Sequence, residues 1–426
     1  MNILLKRIVD RVVRVGNLRM TDPNGTTHTF GDGTGQPVHV HIKTPQAERA
    51  IALHPSLAIA ESFMDQELDF LEGDALGFLQ TVYQNMEPIA TNDKLTRAIE
   101  GMRVAVRRLH QVNTHARAKR NVQSHYDLSG EIYKLFLDAD MQYSCAYFER
   151  PDMSLEEAQL AKKRHIAAKL RLSEGQSVLD IGSGWGGLGI YIAKNFGADV
   201  LGVTLSTEQH AVSTERVRQE GLEGRVHFEI RDYRDLNERF DRIVSVGMFE
   251  HVGVNHFRTY FEKCATLLKP DGVMLLHSIG RFGPPSSTNA FIRKYIFPGG
   301  YIPALSEVLP VIEKAGLMVG DVEILRLHYA DTLKAWRERF LANREKAKAI
   351  YDERFCRMWE FYLSGSEAAF RWQDMMVFQI QLTRRNDVVP VTRGYIDRTE
   401  KLLASRDSGE RRAAPGSTGR VDVDAE

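Results

Sequence analysis

Glu250 and His277 are the residues whose surroundings most invite chemistry. Glu250 lies in Gly247-Met248-Phe249-Glu250-His251-Val252-Gly253, and His277 in Leu275-Leu276-His277-Ser278-Ile279-Gly280. Each stands where an apolar, strand-like run stops. A carboxyl group and an imidazole at neighbouring strand ends can exchange a proton or hold a small anion. Taken singly, each has a plainer reading, as a helix-capping acid or a satisfied core histidine. A third feature is a turn. Val178-Leu179-Asp180-Ile181 is apolar apart from one acid and breaks into Gly182-Ser183-Gly184-Trp185-Gly186-Gly187. Closely spaced glycines let the backbone turn sharply and approach a nucleoside cofactor. Upstream lie His125-Tyr126-Asp127 and Tyr143-Ser144-Cys145-Ala146-Tyr147-Phe148. Cys145 among aromatics reads as a small buried hydrophobe, or as part of a lid over the cofactor. Downstream comes Arg326-Leu327-His328-Tyr329-Ala330-Asp331-Thr332-Leu333.

These groups need a scaffold, and residues 155–280 supply its pattern. A helix over 155–171 leads into strands at 178–182, 199–205, 226–231, 241–247 and 272–278, with helices at 206–221 and 254–268. Such alternation predicts an α/β fold, a doubly wound Rossmann-like parallel sheet with ligands at the carboxyl ends of its strands. Residues 305–316 read as a helix and 317–329 as a hairpin or edge strands. Residues 330–385 read as helical. Their aromatics near 336–372 would form either a core or the surface of a homodimer.

The N-terminal part differs. Residues 1–20 read as a helix in which Ile3, Leu4, Ile8, Val12 and Val15 alternate with Lys6, Arg7, Arg11 and Arg14. It either rests on anionic lipid or packs on its own domain. Val38-His39-Val40-His41-Ile42 alternates as a half-buried strand. His39 and His41 read as strand-surface residues, and no metal site is expected. A small α+β accessory domain over 1–93 is expected, followed by a basic helical linker at 94–120. That linker either touches anionic lipid or presents a solvated face. The catalytic domain is expected over 121–404, with a disordered tail at 405–426.

Composition narrows the class. The 426 residues are 43% hydrophobic and 26% charged, enough for a packed core. Lys and Arg number 56, as do Asp and Glu, so no overall field draws the chain to nucleic acid. Three scattered cysteines suit a reducing, cytoplasmic setting. No apolar run is long enough to span a bilayer, and the first residues lack the form of a signal peptide.

Gly182-x-Gly184-x-x-Gly187 matches a dinucleotide fingerprint, so NAD must be weighed. NAD binding expects an acid at the end of the next strand. Here that strand ends Gly202-Val203-Thr204-Leu205-Ser206. Asp-Ile-Gly-Ser-Gly-Trp-Gly from Asp180 resembles instead the first motif of S-adenosylmethionine-dependent methyltransferases. With His-Tyr-Asp, Tyr-Ser-Cys-Ala-Tyr-Phe, Val-Thr-Leu-Ser, Phe-Glu-His-Val-Gly, His-Ser-Ile-Gly and His-Tyr-Ala-Asp-Thr-Leu in order, residues 125–385 resemble the cyclopropane-fatty-acyl-phospholipid synthases and their mycolic acid relatives. Residues 1–93, including Glu61-Ser62-Phe63-Met64-Asp65, look like the accessory domain of the phospholipid-acting enzymes.

The resemblance implies methylene transfer from S-adenosylmethionine to a cis double bond of an unsaturated phospholipid acyl chain. A carbocation forms and loses a proton to bound bicarbonate. It implies Cys145, Glu250, His277, Tyr329 and the Ile279 backbone as bicarbonate ligands, with Glu250 either accepting from the anion or orienting His277. It implies Tyr143, Ser144, Asp180, Gly182, Gly184, Trp185, Gly186, Thr204, Gln209 and Asp232 around the cofactor. The protein would contact the inner face of the membrane peripherally. Three other outcomes stay open: a methyl-branched or hydroxylated acyl product, a small-molecule methyltransferase, and a non-enzymatic lipid-binding scaffold.

Overall fold

The computed structural model describes residues 1–86 and 130–408. The basic stretch 94–120, the His125-Tyr126-Asp127 motif and the tail beyond 408 lie outside the described residues.

The first helix, α1 (Ile3–Val12), starts where the Asn2 side chain accepts from the Leu4 and Leu5 amides. The helix expected over 1–20 ends at Val12. Val13 is extended (φ −94°, ψ 96°), and Asn17–Thr21 forms strand β1. Apolar residues at Leu18 and Met20 have the two-residue period of a strand, and both are buried. After β1 come β2 (Thr27–Phe30), β3 (Pro37–Ile42), α2 (Pro45–Leu53), α3 (Pro55–Met64), β4 (Leu68–Glu72) and α4 (Ala75–Asn85). The four strands form one sheet in the order β2-β1-β3-β4. Val38, Val40 and Ile42 turn inward, and His39 and His41 lie on the other face, as the alternation predicts.

The second part begins with a single turn, α5 (Gly130–Lys134), and the long helix α6 (Leu155–Leu170), which opens on a reciprocal Ser154/Glu157 capping box. Then follow β5 (Ser177–Ile181), α7 (Gly187–Phe196), β6 (Asp199–Thr204), α8 (Thr207–Gln219), β7 (Val226–Ile230), β8 (Phe240–Val246), α9 (Phe257–Leu267) and β9 (Leu268–Arg281). The chain continues as α10 (Leu305–Lys314), β10 (Met318–Leu325), α11 (His328–Ala342), α12 (Arg344–Ile350), α13 (Glu353–Trp372), β11 (Met375–Thr383) and α14 (Gly394–Asp407). The sheet order is β10-β11-β9-β8-β5-β6-β7.

The parallel run expected over 155–280 is present in β5 to β9, and the sheet becomes mixed where β11 joins it, antiparallel to both β9 and β10. One expectation is corrected: 330–385 is not helical throughout, because Met375–Thr383 is a strand wedged between two others. That position buries both its faces, so polar Gln379 and Gln381 are 0% and 1% exposed. Each has a local partner: Gln379 meets His277, and Gln381 donates to the Lys169 carbonyl and the Tyr395 hydroxyl. Buried glutamines interrupt the apolar run and hide its strand character. Of the two readings of 317–329, the edge strand holds and the hairpin does not: β10 lies at the edge of the sheet and pairs with β11.

The aromatic helices form core. Trp336, Phe340 and Trp359 are at most 1% exposed. The boundary expected at 405 falls inside α14, which runs to Asp407. Arg406 donates to the Asn195 carbonyl at 2.9 Å, and Asp407 pairs with Arg164 at 3.1 Å.

The two parts meet along α13 and the segment before α10. Arg357 donates to the Phe63 carbonyl at 3.0 Å and pairs with Asp69 at 2.7 Å. Arg354 pairs with Asp65 at 2.7 Å. Glu61 accepts from Lys294 at 2.6 Å and from the Tyr295 hydroxyl at 2.7 Å. Those two residues lie in a π-helical turn, Ile292–Ile296.

Candidate active site

A cavity opens at the carboxyl ends of β5, β6 and β8, where a parallel sheet presents its ligands. Asp180, Gly182 and Gly184 line it from the first turn, Thr204 and Gln209 from the second, and Tyr143, Ser144, Trp185 and Asp232 complete the wall. Gly182 has φ +83°, and a Cβ there would lie 2.8 Å from the Met248 side chain. Gly184 has φ +54° and would point a Cβ into open space. That space beside a buried strand-end acid fits a nucleoside cofactor. Ser183 adds a buried hydroxyl oxygen with no hydrogen-bond partner.

Gly186 is the exception among the candidates. It does not line the cavity; a Cβ there would lie 2.8 Å from Phe228 and Ser213, so its role is packing at the start of α7. Asp232 lines the cavity with its carboxylate already gripped by Arg234, at 2.8 and 2.6 Å. Thr204 donates to Gln209 at 3.1 Å.

Burial governs the ionisation of this wall. It pushes Asp180 up to about 7, against the opposing pull of the Lys162 ammonium. Lys162 is itself 1% exposed, and burial lowers it to about 8. Its ammonium donates to Gln142 Oε1 at 2.6 Å and Ser144 Oγ at 2.9 Å. It therefore ties the Tyr143–Ser144 segment to α6 at the cavity wall. Sequence reading missed Lys162, since a lysine beside Lys163 in a helix looks like solvated charge. His251, also on the wall, was missed beside Glu250; burial lowers it to about 4. Pro298 and Gly299 bring in the segment that Glu61 holds.

Behind this wall lie the other candidates. Strand β8 stops at Val246, and the Gly247 amide still donates to the His277 carbonyl at 2.9 Å. The next amide along β9, that of Ile279, donates instead to Glu250 Oε1 at 2.7 Å. A carboxylate thus replaces the missing ladder partner. Glu250 Oε2 is buried with no hydrogen-bond partner, and burial raises the group to about 7 despite the Ile279 bond.

His277 is held by another residue. Gln379 Nε2 lies 3.1 Å from its Nδ1, so in this amide orientation Nδ1 accepts and the proton sits on Nε2. Burial keeps the ring neutral, with Lys162 adding to the effect. The expectation that Glu250 orients His277 is therefore replaced by Gln379, a residue hidden by the misread strand.

Cys145 is 1% exposed, and its thiol donates to the Ala146 carbonyl at 3.2 Å. Burial raises it well above the usual thiol range, so it is not a thiolate. Tyr329 and Tyr143 share one neighbour. Tyr143 stacks on Trp336 at 5.2 Å, and Tyr329 meets the same ring edge-on at 5.8 Å. Tyr143 also meets the Tyr362 hydroxyl at 2.9 Å.

Comparison with known proteins agrees with this geometry. Residues 113–380 match the model of the mycolic acid cyclopropane synthetase family, and residues 4–94 match a domain of unknown function. The cyclopropane-fatty-acyl-phospholipid synthase of Escherichia coli K12 is 40% identical over 350 residues, covering 82% of this chain and 88% of that protein. A probable fatty acid methyltransferase of Pseudomonas putida is 41% identical, covering 80% and 86%. The solved mycolic acid cyclopropane synthase complexed with SAH and CTAB is 36% identical with a TM-score of 0.60, covering 64% of this chain and 99% of that one. By sequence and by fold, the chain belongs to the mycolic acid cyclopropane synthetase family of S-adenosylmethionine-dependent methyltransferases.

Proposed function

We propose that the protein forms cyclopropane fatty acids on phospholipid, adding a methylene group across a cis double bond of an acyl chain. One observation carries the reading beyond the family. Tyr143 on the cavity wall stacks on Trp336, which Tyr329 meets edge-on, and the nearby Cys145 is a protonated thiol rather than a thiolate that would trap a cation.

S-adenosylmethionine would be held by Tyr143, Ser144, Asp180, Gly182, Gly184, Trp185, Thr204, Gln209 and Asp232, and supplies an electrophilic methyl carbon. An alkene is a weak nucleophile, so the chain must hold it close to that carbon, where proximity contributes ~7–11 kcal/mol. Tyr143 and its aromatic neighbours stabilise the resulting cation through their ring faces. Deprotonation needs a base that leaves with its proton. Bicarbonate fits the groups present: Glu250 Oε2 is an acceptor without a partner, and His277, with Nδ1 turned to Gln379 Nε2, would offer a proton from its Nε2. Glu250, His277 and Tyr329 would hold it, and it would supply proton acceptance. The Cys145 thiol and the Ile279 amide are engaged within the protein, so each must share or release its bond to join that set.

The domain reading is part of the proposal. Residues 1–93 serve as an accessory, lipid-facing domain for the catalytic domain, on the inner face of the membrane. A second product from the same cation is a methyl-branched chain; the Pseudomonas putida relative is named only a probable fatty acid methyltransferase.

Incubation with unsaturated phospholipid vesicles and labelled S-adenosylmethionine tests the proposal by mass spectrometry of the lipids. One added methylene with loss of the alkene supports cyclopropanation. A methyl branch supports the second product. Absence of label from the lipids overturns both.

A further inference from the structure

We propose that the outer face of α1 docks the protein on an anionic phospholipid bilayer. The inference rests on the lipid-substrate reading and assigns the surface involved. Helix α1 has two unlike faces. Leu5 is buried, and Val9 and Val12 pack on the domain core. Opposite them stand Ile3, Leu4, Arg7 and Arg11, spaced so that a helix gathers them on one side. Ile3 is 73% exposed and Leu4 47%. The helix therefore packs on its own domain and still offers a free amphipathic face.

The charges on this face are uncompensated. Among the described residues, the Arg7 and Arg11 side chains of this face have no ion-pair partner, and neither has Arg14 just beyond the helix. Asp10, the acid of the helix, is taken by Lys6 at 2.8 Å. Nearby acids are spent inside the domain: Asp22 binds the chain's amino terminus, and Glu48 accepts the Asn2 amide. In a chain of zero net charge, three unpaired arginines form a local feature.

Apolar and basic side chains side by side select the partner. A bilayer accepts both, with Ile3 and Leu4 entering the headgroup boundary and the arginines meeting anionic headgroups. Nucleic acid would leave the two exposed apolar side chains unused. No described helix is long and apolar enough to cross a membrane, so an enzyme acting on bilayer lipid needs such a surface.

The test uses the full chain and sedimentation with vesicles of phosphatidylglycerol and phosphatidylethanolamine, against phosphatidylcholine vesicles. Wild type is expected to prefer the anionic vesicles and to release in high salt. The double variant Arg7→Glu/Arg11→Glu is expected to lose about 25-fold or more in partitioning, about fivefold per arginine. Leu4→Ser is expected to weaken binding to both vesicle types. These side chains point outward, so the thermal midpoint should not move. A salt titration of wild type tests the charge dependence without any variant.

Turnover of the same phospholipid dispersed in detergent micelles should be unchanged in the double variant. Unaltered partitioning of that variant overturns the proposal, as does salt-indifferent or charge-indifferent binding by wild type. Absence of wild-type vesicle binding also overturns it and leaves the face to an acidic protein partner. Failure of wild type on micellar phospholipid instead strikes the catalytic reading, while vesicle partitioning still decides the docking surface.

Discussion

The Glu250 carboxylate accepts the Ile279 backbone amide at 2.7 Å, closing the ladder one step beyond the end of β8. One oxygen is structural in this arrangement, and the other is buried with no partner. Glu250→Gln keeps an oxygen for the Ile279 amide but loses the carboxylate. Turnover should fall roughly 100-fold or more, within the range of a lost acid–base group. Binding of S-adenosylhomocysteine by calorimetry should change little, because Glu250 is not part of the cofactor wall. Equal loss of both would remove Glu250 from the proposed role.

Cys145→Ser tests the aromatic wall. The thiol donates to Ala146, and a hydroxyl can do the same. Activity should stay within about tenfold of wild type, the scale of one altered hydrogen bond. Complete inactivation with an intact fold would point to a covalent cysteine.

Ionisation of buried acids should shape stability against pH. Asp180 is raised from 3.8 to about 7 and Glu250 from 4.5 to about 7. Folding therefore favours their protonated forms. That contribution is present below about pH 4 and is lost as pH rises through about 7. His251, lowered from 6.5 to about 4, acts the other way and adds stability as pH rises through that window. Asp180→Asn removes its share of the first effect, on the order of a few kcal/mol. Melting curves from pH 5 to 8 without cofactor should show a smaller decline for the variant. Parallel curves would mean that Asp180 titrates normally.

Glu61→Ala should loosen the joint between the two parts. It removes the acceptor for both Lys294 and Tyr295. Beyond that turn, Phe297 meets the His251 ring at 5.7 Å, and the Tyr301 amide donates to the Glu250 carbonyl at 2.8 Å. The expected loss is about 1–3 kcal/mol in denaturant unfolding. Turnover should fall several-fold, because Pro298 and Gly299 on the cavity wall belong to the same segment. If neither quantity moves, the contact does not hold the segment in place.

Much of the scaffold is legible in local order. Asp180 before the glycines, together with the Val-Thr-Leu-Ser motif around Thr204, points from NAD to S-adenosylmethionine on local order alone. Alternating strand and helix periods locate β5 to β9 within a few residues, because a central parallel strand must be apolar throughout. Glu250 falls just past the end of β8, as the same periods suggest, whereas His277 lies inside β9, which runs on to Arg281.

Tertiary structure decided the rest, for reasons of burial and partnership. Gln379 is polar in a strand enclosed on both faces, so no sequence period reveals it, yet it orients His277. Lys162 looks like surface charge and becomes a buried tie on the cavity wall once Gln142 and Ser144 fold against it. Gly186 closes the Asp-Ile-Gly-Ser-Gly-Trp-Gly motif but faces Phe228 and Ser213 rather than the cavity. Local sequence settles which backbone a residue adopts. Which groups lose water, and which partner replaces it, is settled only when distant segments pack together.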